Sequence, residues 1–302
     1  MILTARAPVR IDVAGAWTDV DLYSMKEGGA VVNATINHFI SGQVEVADHF
    51  DPTDGGDSLN ISYRSSLPSG SGLGTSSAMN VCWLSMIQYL MHSKLPERVT
   101  LAEMAYDLEQ ALGVFCGRQD QIAAAVGGIN YLTFGESRYI QPITVPEDCL
   151  LELESRLVLC YSGKSRLSGH IHDHVWDGFR DGNEEVLTAL RSLSLCADEM
   201  RDALAAGDLD QVGHVMNENW HSQKMLHESV TNEQLEDLFE VAMDAGAVAG
   251  KACGAGGGGC LLFFVEPGAQ AEVSDSLKSA GAQPLPFKFV FDGVTVERME
   301  SQ

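Results

Sequence analysis

The chain has 302 residues, of which 45% are apolar and 20% charged, a composition typical of globular proteins long enough for two domains. With 19 basic and 42 acidic side chains its formal charge is −23, and a surface of that sign repels nucleic-acid phosphates and anionic lipids. We therefore expect no nucleic acid and no membrane among its partners, although a saline habitat is another possible origin of the acidity.

The cysteines point to a reducing compartment, because the seven of them are scattered and form no CxxC pair. The first fifteen residues alternate like a strand and carry Arg6, Arg10 and Asp12, unlike a secretory signal peptide. No run reaches the roughly 18 apolar residues that span a bilayer. We expect a cytoplasmic protein, with a homodimer as a possible assembly.

Residues 1–63 are predicted to be mainly strands and turns. Apolar and polar residues alternate near the start, β-branched residues are dense over 31–46, and Asp and Gly cluster as a turn at 51–57. Residues 77–92 are apolar nearly all round, which predicts a helix buried in the core.

A second helix is predicted from Thr100, where Thr100 and Glu103 match a capping box, to about Gly113. Further helices and strands follow from periodicity: a strand at 157–161, helices near 184–206, 208–227, 232–245 and 269–280, and a strand pair near 286–297. Strand-rich composition gives way to helix-rich composition, so we predict an α+β protein with domains at 1–155 and 156–302.

The stretch LPSGSGLGTSS, residues 67–77, precedes the first long helix. Three of its glycines allow a close approach of the backbone to a ligand: Gly70, Gly72 and Gly74. Hydroxyl residues stand where the helix begins and its free N–H groups favour an anion: Thr75, Ser76 and Ser77. Taken alone, the stretch is also compatible with a flexible connector ending in a serine cap.

Two other motifs carry similar alternatives. The loop 254–259, GAGGGG, either lies against a phosphate or is a plain turn between a helix and a strand. Asp120, in CGRQDQ, either deprotonates a hydroxyl or caps the following helix, the commoner role of a lone Asp.

Two charged residues and a histidine cluster are further candidates for a functional site. Arg10 lies in the first strand and Asp19 in the loop after it, and both are alternatively surface charges. In HIHDHVW, residues 170–176, only the first and third histidines share a helix face and no other ligand cluster is evident. We expect a helix N-terminal region there instead of a metal site.

The order of these motifs resembles that of the GHMP kinases. APVRIDVAGAWTD is similar to the first motif of that family, PSGSGLGTSSA to the second and KACGAGGGG to the third, and CGRQDQ matches the signature around the catalytic Asp of galactokinases. The resemblance spans Arg6 to Val265. It implies a ribosomal-S5-like N-terminal domain, a ferredoxin-like C-terminal domain and an active site between them.

The resemblance also implies ATP, Mg²⁺ and residue roles. Asp120 would be the general base and Arg10 would stabilise the negative charge of the transferring phosphoryl group. Ser76 and Glu109 would hold Mg²⁺, and Asp19 would bind sugar hydroxyls. Two loops would hold ATP, through Gly70, Ser71, Gly72, Leu73, Gly74, Thr75, Ser76, Ser77, Gly254, Gly256 and Gly257.

Within the family, QDQIAAAVGGIN, YSGKSR and NENWHSQK look like D-glycero-D-manno-heptose 7-phosphate 1-kinases. RAPVRIDVAGAWTD and GSGLGTSS look at least as much like L-fucokinase. Galactokinases have Glu-His, which helps to hold galactose, where this chain has Ala16 and Trp17. Galactose is therefore not the expected substrate.

The resemblance thus implies phosphorylation at the anomeric hydroxyl of a heptose 7-phosphate, whose existing phosphate needs cations. The candidates are Arg118, Lys164 and Arg166, which are alternatively surface charges. Other expected acceptors are L-fucose, glucuronate, arabinose or a mevalonate-like alcohol. A catalytically silent sugar- and ATP-binding regulator is the alternative from another class, and the presence of both Asp120 and Arg10 argues against it.

Overall fold

The computed structural model describes residues 2–45, 60–68, 70–164 and 169–299. The turn predicted at 51–57 and the candidate cation Arg166 lie outside the described residues.

The described part of the chain contains strands and helices in roughly equal number. The strands are β1 (Ile2–Ala14), β2 (Gly29–Glu45), β3 (Asn60–Ser65), β4 (Ile129–Phe134), β5 (Tyr139–Pro142), β6 (Leu157–Tyr161), β7 (Ala247–Ala252), β8 (Cys260–Val265), β9 (Gln283–Pro284) and β10 (Thr295–Met299). The helices are α1 (Asp21–Glu27), α2 (Thr75–His92), α3 (Arg98–Ala111), α4 (Gln119–Val126), α5 (Glu147–Ser155), α6 (Gly169–Arg180), α7 (Glu184–Ala206), α8 (Leu209–Met225), α9 (Glu233–Asp244) and α10 (Gln270–Ser279). A 3₁₀ turn spans Glu228–Val230.

The first sheet is antiparallel, in the order β10-β1-β2-β4-β5, and β3 also pairs with β2. Helices α2 and α4 from the first half of the chain and α7 from the second half all pack against β1 and β2. One apolar core therefore joins residues of both halves, from Leu3 to Met216 and beyond.

The second sheet is also antiparallel, in the order β7-β8-β6-β9. Helices α8 and α9 pack on β7, and α10 packs on β6. All six residues of β8 are buried, which explains its unbroken apolar sequence CLLFFV. The predicted α+β class is confirmed.

The end of the chain returns to the first sheet. The predicted strand pair at 286–297 is wrong in its pairing, because β9 pairs with β6 whereas β10 pairs with β1. Between β9 and β10 the backbone forms hydrogen bonds with β2. The Val290 N–H donates to the Thr35 carbonyl, and the Thr35 hydroxyl donates to the Val290 carbonyl. The division into 1–155 and 156–302 stays a prediction.

Helix boundaries follow the periodicity closely. Gly207, with a φ of 72°, separates α7 from α8 as predicted. The capping box is wrong: α3 begins at Arg98, so Thr100 lies inside its first turn. The carboxylate of Glu103 bonds instead to Arg118 and Arg138. Over the described ranges, no helix combines the length and the apolar character needed to cross a bilayer.

Candidate active site

A cavity of about 250 Å³ lies where the start of α2, the loop before α4 and the glycine loop after β7 meet. The two halves of the chain both contribute to its walls. Nine of the residues proposed from the sequence line it together: Arg10, Asp19, Gly72, Gly74, Ser76, Ser77, Glu109, Asp120 and Gly254.

Arg10 is the centre of this site. Its Nε and Nη2 lie 2.7 and 2.6 Å from Oδ1 of Asp120, and its Nη1 donates to the carbonyls of Gly72 and Cys253 at 2.6 and 3.1 Å. Burial opposes its charge, but the carboxylates of Asp120 and Asp12 outweigh burial and raise the pKa of Arg10 above its usual value. Arg10 is therefore a permanent cation that joins both glycine-bearing loops.

Asp120 lies in the first turn of α4 with its side chain about one quarter exposed. Both contacts with Arg10 use Oδ1, so Oδ2 is not engaged by Arg10. A Cβ on Gly74 would lie 3.1 Å from this carboxyl group, so this glycine allows α2 and α4 to approach closely. The carboxylate pairs with a cation instead of capping its helix.

The start of α2 has the features of an anion site. Gly74 takes the left-handed conformation, with φ 72°, and no side chain caps the helix. The first N–H groups of α2 therefore remain available beside Ser76 and Ser77, which line the cavity.

The two glycine-bearing loops touch each other directly. A Cβ on Gly254 would lie 2.9 Å from the Cα of Gly72, and the Cys260 N–H donates to the Ser71 carbonyl at 2.7 Å. Gly257 donates its N–H to the Val230 carbonyl at 2.7 Å, which ties the glycine loop to the 3₁₀ turn. Six of the expected ATP-binding residues are not among the cavity-lining ones: Gly70, Ser71, Leu73, Thr75, Gly256 and Gly257.

Glu109 is a buried carboxylate of α3 at the edge of the cavity. It accepts hydrogen bonds from Asn80 at 3.0 Å, from Gln121 at 2.8 Å and from the Cys116 thiol at 3.2 Å. Within the described ranges no basic side chain pairs with it. A buried carboxylate without a countercharge is unfavourable, so the position fits a bound cation.

Asp19 is buried in the same cavity and accepts the N–H of Gln119 at 2.9 Å. Burial raises the pKa of Asp19 to about 6, and the negative charge of Asp120 adds to the effect, whereas the Gln119 N–H and Arg10 oppose it. With a pKa near 6 the carboxylate is ionised at neutral pH, and it could then accept hydrogen bonds from a hydroxyl-bearing ligand.

Of the cations proposed for a substrate phosphate, the two that the structure describes, Arg118 and Lys164, do not line this cavity. Arg118 pairs with Asp21 at 2.8 Å and with Glu103 at 2.9 Å, and it lies over the Tyr106 ring at 3.5 Å. Lys164 is exposed, and its carbonyl accepts the N–H of Gly259 at 3.0 Å. Arg166 is outside the described residues.

Aromatic residues that the sequence did not single out as a site also line the cavity. Trp17, Phe115 and His172 all contribute to its wall. The Trp17 and His172 rings are 4.5 Å apart, and Trp17 has a φ of 82°, a strain of about 1–3 kcal/mol for a bulky residue. The replacement of Glu-His by Ala16 and Trp17 was the available signal.

A buried ion pair joins two of the strands that carry the site, β1 and β7. Lys251 of β7 donates to the carboxylate of Asp12 and, at 2.9 Å, to its backbone carbonyl on β1. Both side chains are fully buried. The alternation of β1 places Asp12 on the polar face, so its burial was not predictable from the pattern. Among the residues that the structure describes, no group of three or more His, Cys, Asp or Glu side chains is placed to hold a metal ion.

Comparison with known proteins identifies the family of this chain. The model for the GHMP kinases N terminal domain matches residues 38–128, and the model for GHMP kinases C terminal matches 200–283. A D-glycero-alpha-D-manno-heptose 7-phosphate kinase from Campylobacter jejuni is 29% identical over 97% of this chain and 98% of that protein.

Two further proteins are similar over most of this chain. The crystal structure of a D-glycero-D-manno-heptose 1-phosphate kinase from Bacteroides thetaiotaomicron has a TM-score of 0.79 and 26% identity, covering 99% of this chain and 100% of that one. A bifunctional fucokinase/GDP-fucose pyrophosphorylase from Arabidopsis thaliana is 24% identical over 88% of this chain, which spans 30% of that protein. Since the two family models together match more than half of the sequence, and the fold matches that of known members, the chain belongs to the GHMP kinases.

Proposed function

We propose that this kinase transfers the γ-phosphoryl group of ATP to the anomeric hydroxyl of a sugar. The observation that supports it most is the Arg10–Asp120 pair, held beside the uncapped start of α2 and against both glycine-bearing loops. An acid–base group, a fixed cation and an anion site thus share one cavity, which is what phosphoryl transfer to a hydroxyl requires.

The triphosphate binds at the N-terminus of α2. The free N–H groups there and the dipole of the helix stabilise its charge without a lysine. Gly72 and Gly74 keep the backbone close to the phosphates, and Gly254 closes the cavity from the other loop. Because Arg10 bonds to a carbonyl of each loop, it fixes their separation and brings its charge to the transferring group.

Asp120 removes the proton of the attacking hydroxyl through Oδ2, since Oδ1 is occupied by Arg10. Asp19 accepts a second sugar hydroxyl and so orients the nucleophile towards the phosphorus. The transition state of phosphoryl transfer is loose, so this positioning and the charge of Arg10 supply most of the acceleration.

Mg²⁺ would be held by Ser76 and Glu109, two hard oxygen ligands on the wall of one cavity. Hydrogen bonds from Asn80 and Gln121 orient the buried Glu109 carboxylate. Because no described basic side chain neutralises this carboxylate, it is suited to bind a metal ion. An ion held by these two residues would supply positive charge to the phosphates of ATP.

The proposed sugar is D-glycero-D-manno-heptose 7-phosphate. The relative from Campylobacter jejuni, with 97% of this chain aligned, supports this substrate. A specific alternative is L-fucose, supported by the fucokinase relatives and by the absence of a described cation, other than Arg10, on the cavity wall. Lys164 and Arg166 remain proposed ligands of the 7-phosphate, and Arg118 needs a different partner arrangement to serve as one.

A substrate panel tests the proposal. ADP release is measured with heptose 7-phosphate, L-fucose, glucuronate, arabinose, mannose and mevalonate, and the product is analysed for a 1-phosphate by phosphorus NMR. Heptose 7-phosphate should give the highest kcat/KM. ATP binding without ADP release on any acceptor would support the silent regulator and overturn the kinase.

The variant Asp120→Asn tests the proton acceptor. Removing a general base should lower kcat by about 10²- to 10⁴-fold, while the affinity for ATP stays within about twofold. Asn keeps the shape of the side chain, so a folding defect is not expected, and thermal melting checks this. Turnover equal to that of the unmodified protein would show that Asp120 is not the base.

A further inference from the structure

Part of the cavity lining is aromatic. Trp17 and His172 lie 4.5 Å apart, and Phe115 lines the cavity with them. Trp176, which is fully buried behind them, contacts Trp17 and Phe115 at ring separations of 6.0 Å each. We call Trp17, Phe115, His172 and Trp176 the aromatic wall.

The hydrogen bonding of His172 defines its tautomer. The indole N–H of Trp176, which is a donor only, points to Nδ1 of His172 at 3.3 Å. Nδ1 must therefore be unprotonated, and the ring proton lies on Nε2. None of the described side chains or carbonyls accepts this Nε2–H, although the residue lines the cavity.

The ring also stays uncharged. Burial lowers the pKa of His172 to about 4, although the charges of Asp173 and Asp120 oppose the shift. At neutral pH His172 is thus a neutral N–H donor in the lining of the cavity, next to the Trp17 ring. The backbone of Trp17 is held in its left-handed conformation by its neighbour Thr18, whose hydroxyl oxygen lies 2.8 Å from the Gly15 and Ala30 carbonyls and accepts the Ala30 N–H at 3.1 Å.

We propose that His172 is a specificity-determining residue for the sugar, donating its Nε2–H to an uncharged substrate oxygen while a C–H face of the sugar packs on Trp17. This inference rests on the proposed sugar kinase activity. A neutral donor among aromatic rings suits a hydroxyl or ring oxygen, whereas a phosphate dianion would need a cation. The aromatic wall therefore recognises the uncharged part of the substrate, and any existing phosphate is bound elsewhere.

Two substitutions separate the donor from the ring. His172→Phe keeps an aromatic ring against Trp17 but removes the N–H, and it should raise the KM for the sugar by about 3- to 10-fold with an unchanged KM for ATP. His172→Gln retains a neutral N–H, so the rise in log KM for the sugar should be at most half of that in His172→Phe. His214→Phe, at an exposed histidine of α8, is the matched control and should leave both constants unchanged.

The assay compares heptose 7-phosphate with the same heptose lacking the phosphate. If His172 contacts an uncharged oxygen, His172→Phe changes kcat/KM by the same factor for both sugars. His172→Phe also deprives the Trp176 N–H of its acceptor, so melting temperatures are recorded for each variant. A lower melting temperature without a higher sugar KM overturns the proposal, as does an equal rise in the KM for ATP.

Direct binding distinguishes this inference from the proposed function. Heptose 7-phosphate, added without ATP, should quench the indole fluorescence of the unmodified protein and of Trp220→Phe, but not of Trp17→Phe. Quenching without any phosphorylation would disprove the kinase activity and still support the aromatic wall. Phosphorylation with no dependence on His172 would support the kinase and overturn this inference.

Discussion

Asp19 and Asp120 lie in one cavity but in different surroundings. Asp120 is paired with Arg10, whereas Asp19 is buried with the N–H of Gln119 as its donor. Two carboxyl groups with different surroundings can take different roles, one in proton transfer and one in binding. The ionised form of Asp19 is the costly one, because burial raises its pKa to about 6.

This cost gives a sign to the pH dependence of stability. Relative to an unfolded carboxyl near 3.8, the folded state holds the Asp19 proton more tightly, so the free energy of unfolding falls as the pH rises from about 4 to 6. Above pH 6 Asp19 is ionised in the folded state, and the free energy of unfolding stays lower by the full cost of that ionisation. The charges that act on Asp19 are those of Arg10 and Asp120, and the neutral His172 lines the same cavity.

Asp19→Asn should therefore be more stable than the unmodified protein at pH 7.5, by up to about 3 kcal/mol, and equally stable near pH 4. The amide oxygen of Asn still accepts the Gln119 N–H. Urea unfolding at the two pH values measures the difference. The variant should also bind sugar more weakly, and a stability gain that is the same at both pH values would contradict the assignment to ionisation.

At the scale of elements, the site depends on two loops in backbone contact. The loop before α2 and the loop after β7 meet at Gly72 and Gly254, and Arg10 of β1 bonds to a carbonyl in each. Lys251, just before the second loop, holds β7 to β1 through Asp12. The anion site is thus assembled by three separate parts of the chain.

Gly254→Ala should separate these loops, because its Cβ would lie 2.9 Å from the Cα of Gly72, a backbone atom that cannot rotate away. We expect the KM for ATP to rise at least about tenfold with a loss of about 1–3 kcal/mol in stability. Steady-state kinetics and thermal melting measure the two effects.

Gly281→Ala is the control for Gly254→Ala. Gly281 has a φ of 94°, and no heavy atom lies within 4 Å of the position that a Cβ would take there, so this variant carries backbone strain without a clash between loops. It should lose stability and keep its KM for ATP. An unchanged KM for ATP in Gly254→Ala would show that loop contact is not needed for nucleotide binding.

Glycine spacing and apolar periodicity are local properties, so they predict the start of α2 and the helices α7 to α10. The resemblance to the family, and no local pattern, is what selected Arg10 and Asp120 together. The partners of charged residues are not predictable in the same way. The sequence suggests Arg118 as a phosphate ligand, yet its guanidinium group forms ion pairs with Asp21 and Glu103. The burial of Asp12 depends on its pairing with Lys251, which is 239 residues away in the sequence. A local sequence pattern cannot predict such a pair. The spacing of the histidines argues only against a metal site, and the fold alone places His172 beside Trp17.

For the whole molecule, the dominant property is its formal charge of −23. Charges of one sign repel each other more strongly in the compact state than in the unfolded chain. Salt shortens the range of this repulsion from about 30 Å at 0.01 M to about 3 Å at 1 M. Part of the folding free energy should therefore depend on ionic strength.

Raising NaCl from 20 to 500 mM should increase the melting temperature by about 3 °C or more, corresponding to roughly 1 kcal/mol for a protein of this size. Calorimetry at fixed pH measures the shift. Sucrose, which carries no charge, is added in a parallel series to account for preferential exclusion. A melting temperature that stays constant or falls with NaCl would show that surface repulsion is not a main cost of folding.

The pairing of β10 with β1 bears on how the protein is made. About 280 residues separate the two strands, which at ribosomal speeds of 5–20 residues per second is on the order of tens of seconds of synthesis. During that time the strand that carries Arg10 has one edge without its native neighbour. An unpaired edge is a template for association with other chains. The nascent protein should therefore depend on chaperones until its last strand has emerged.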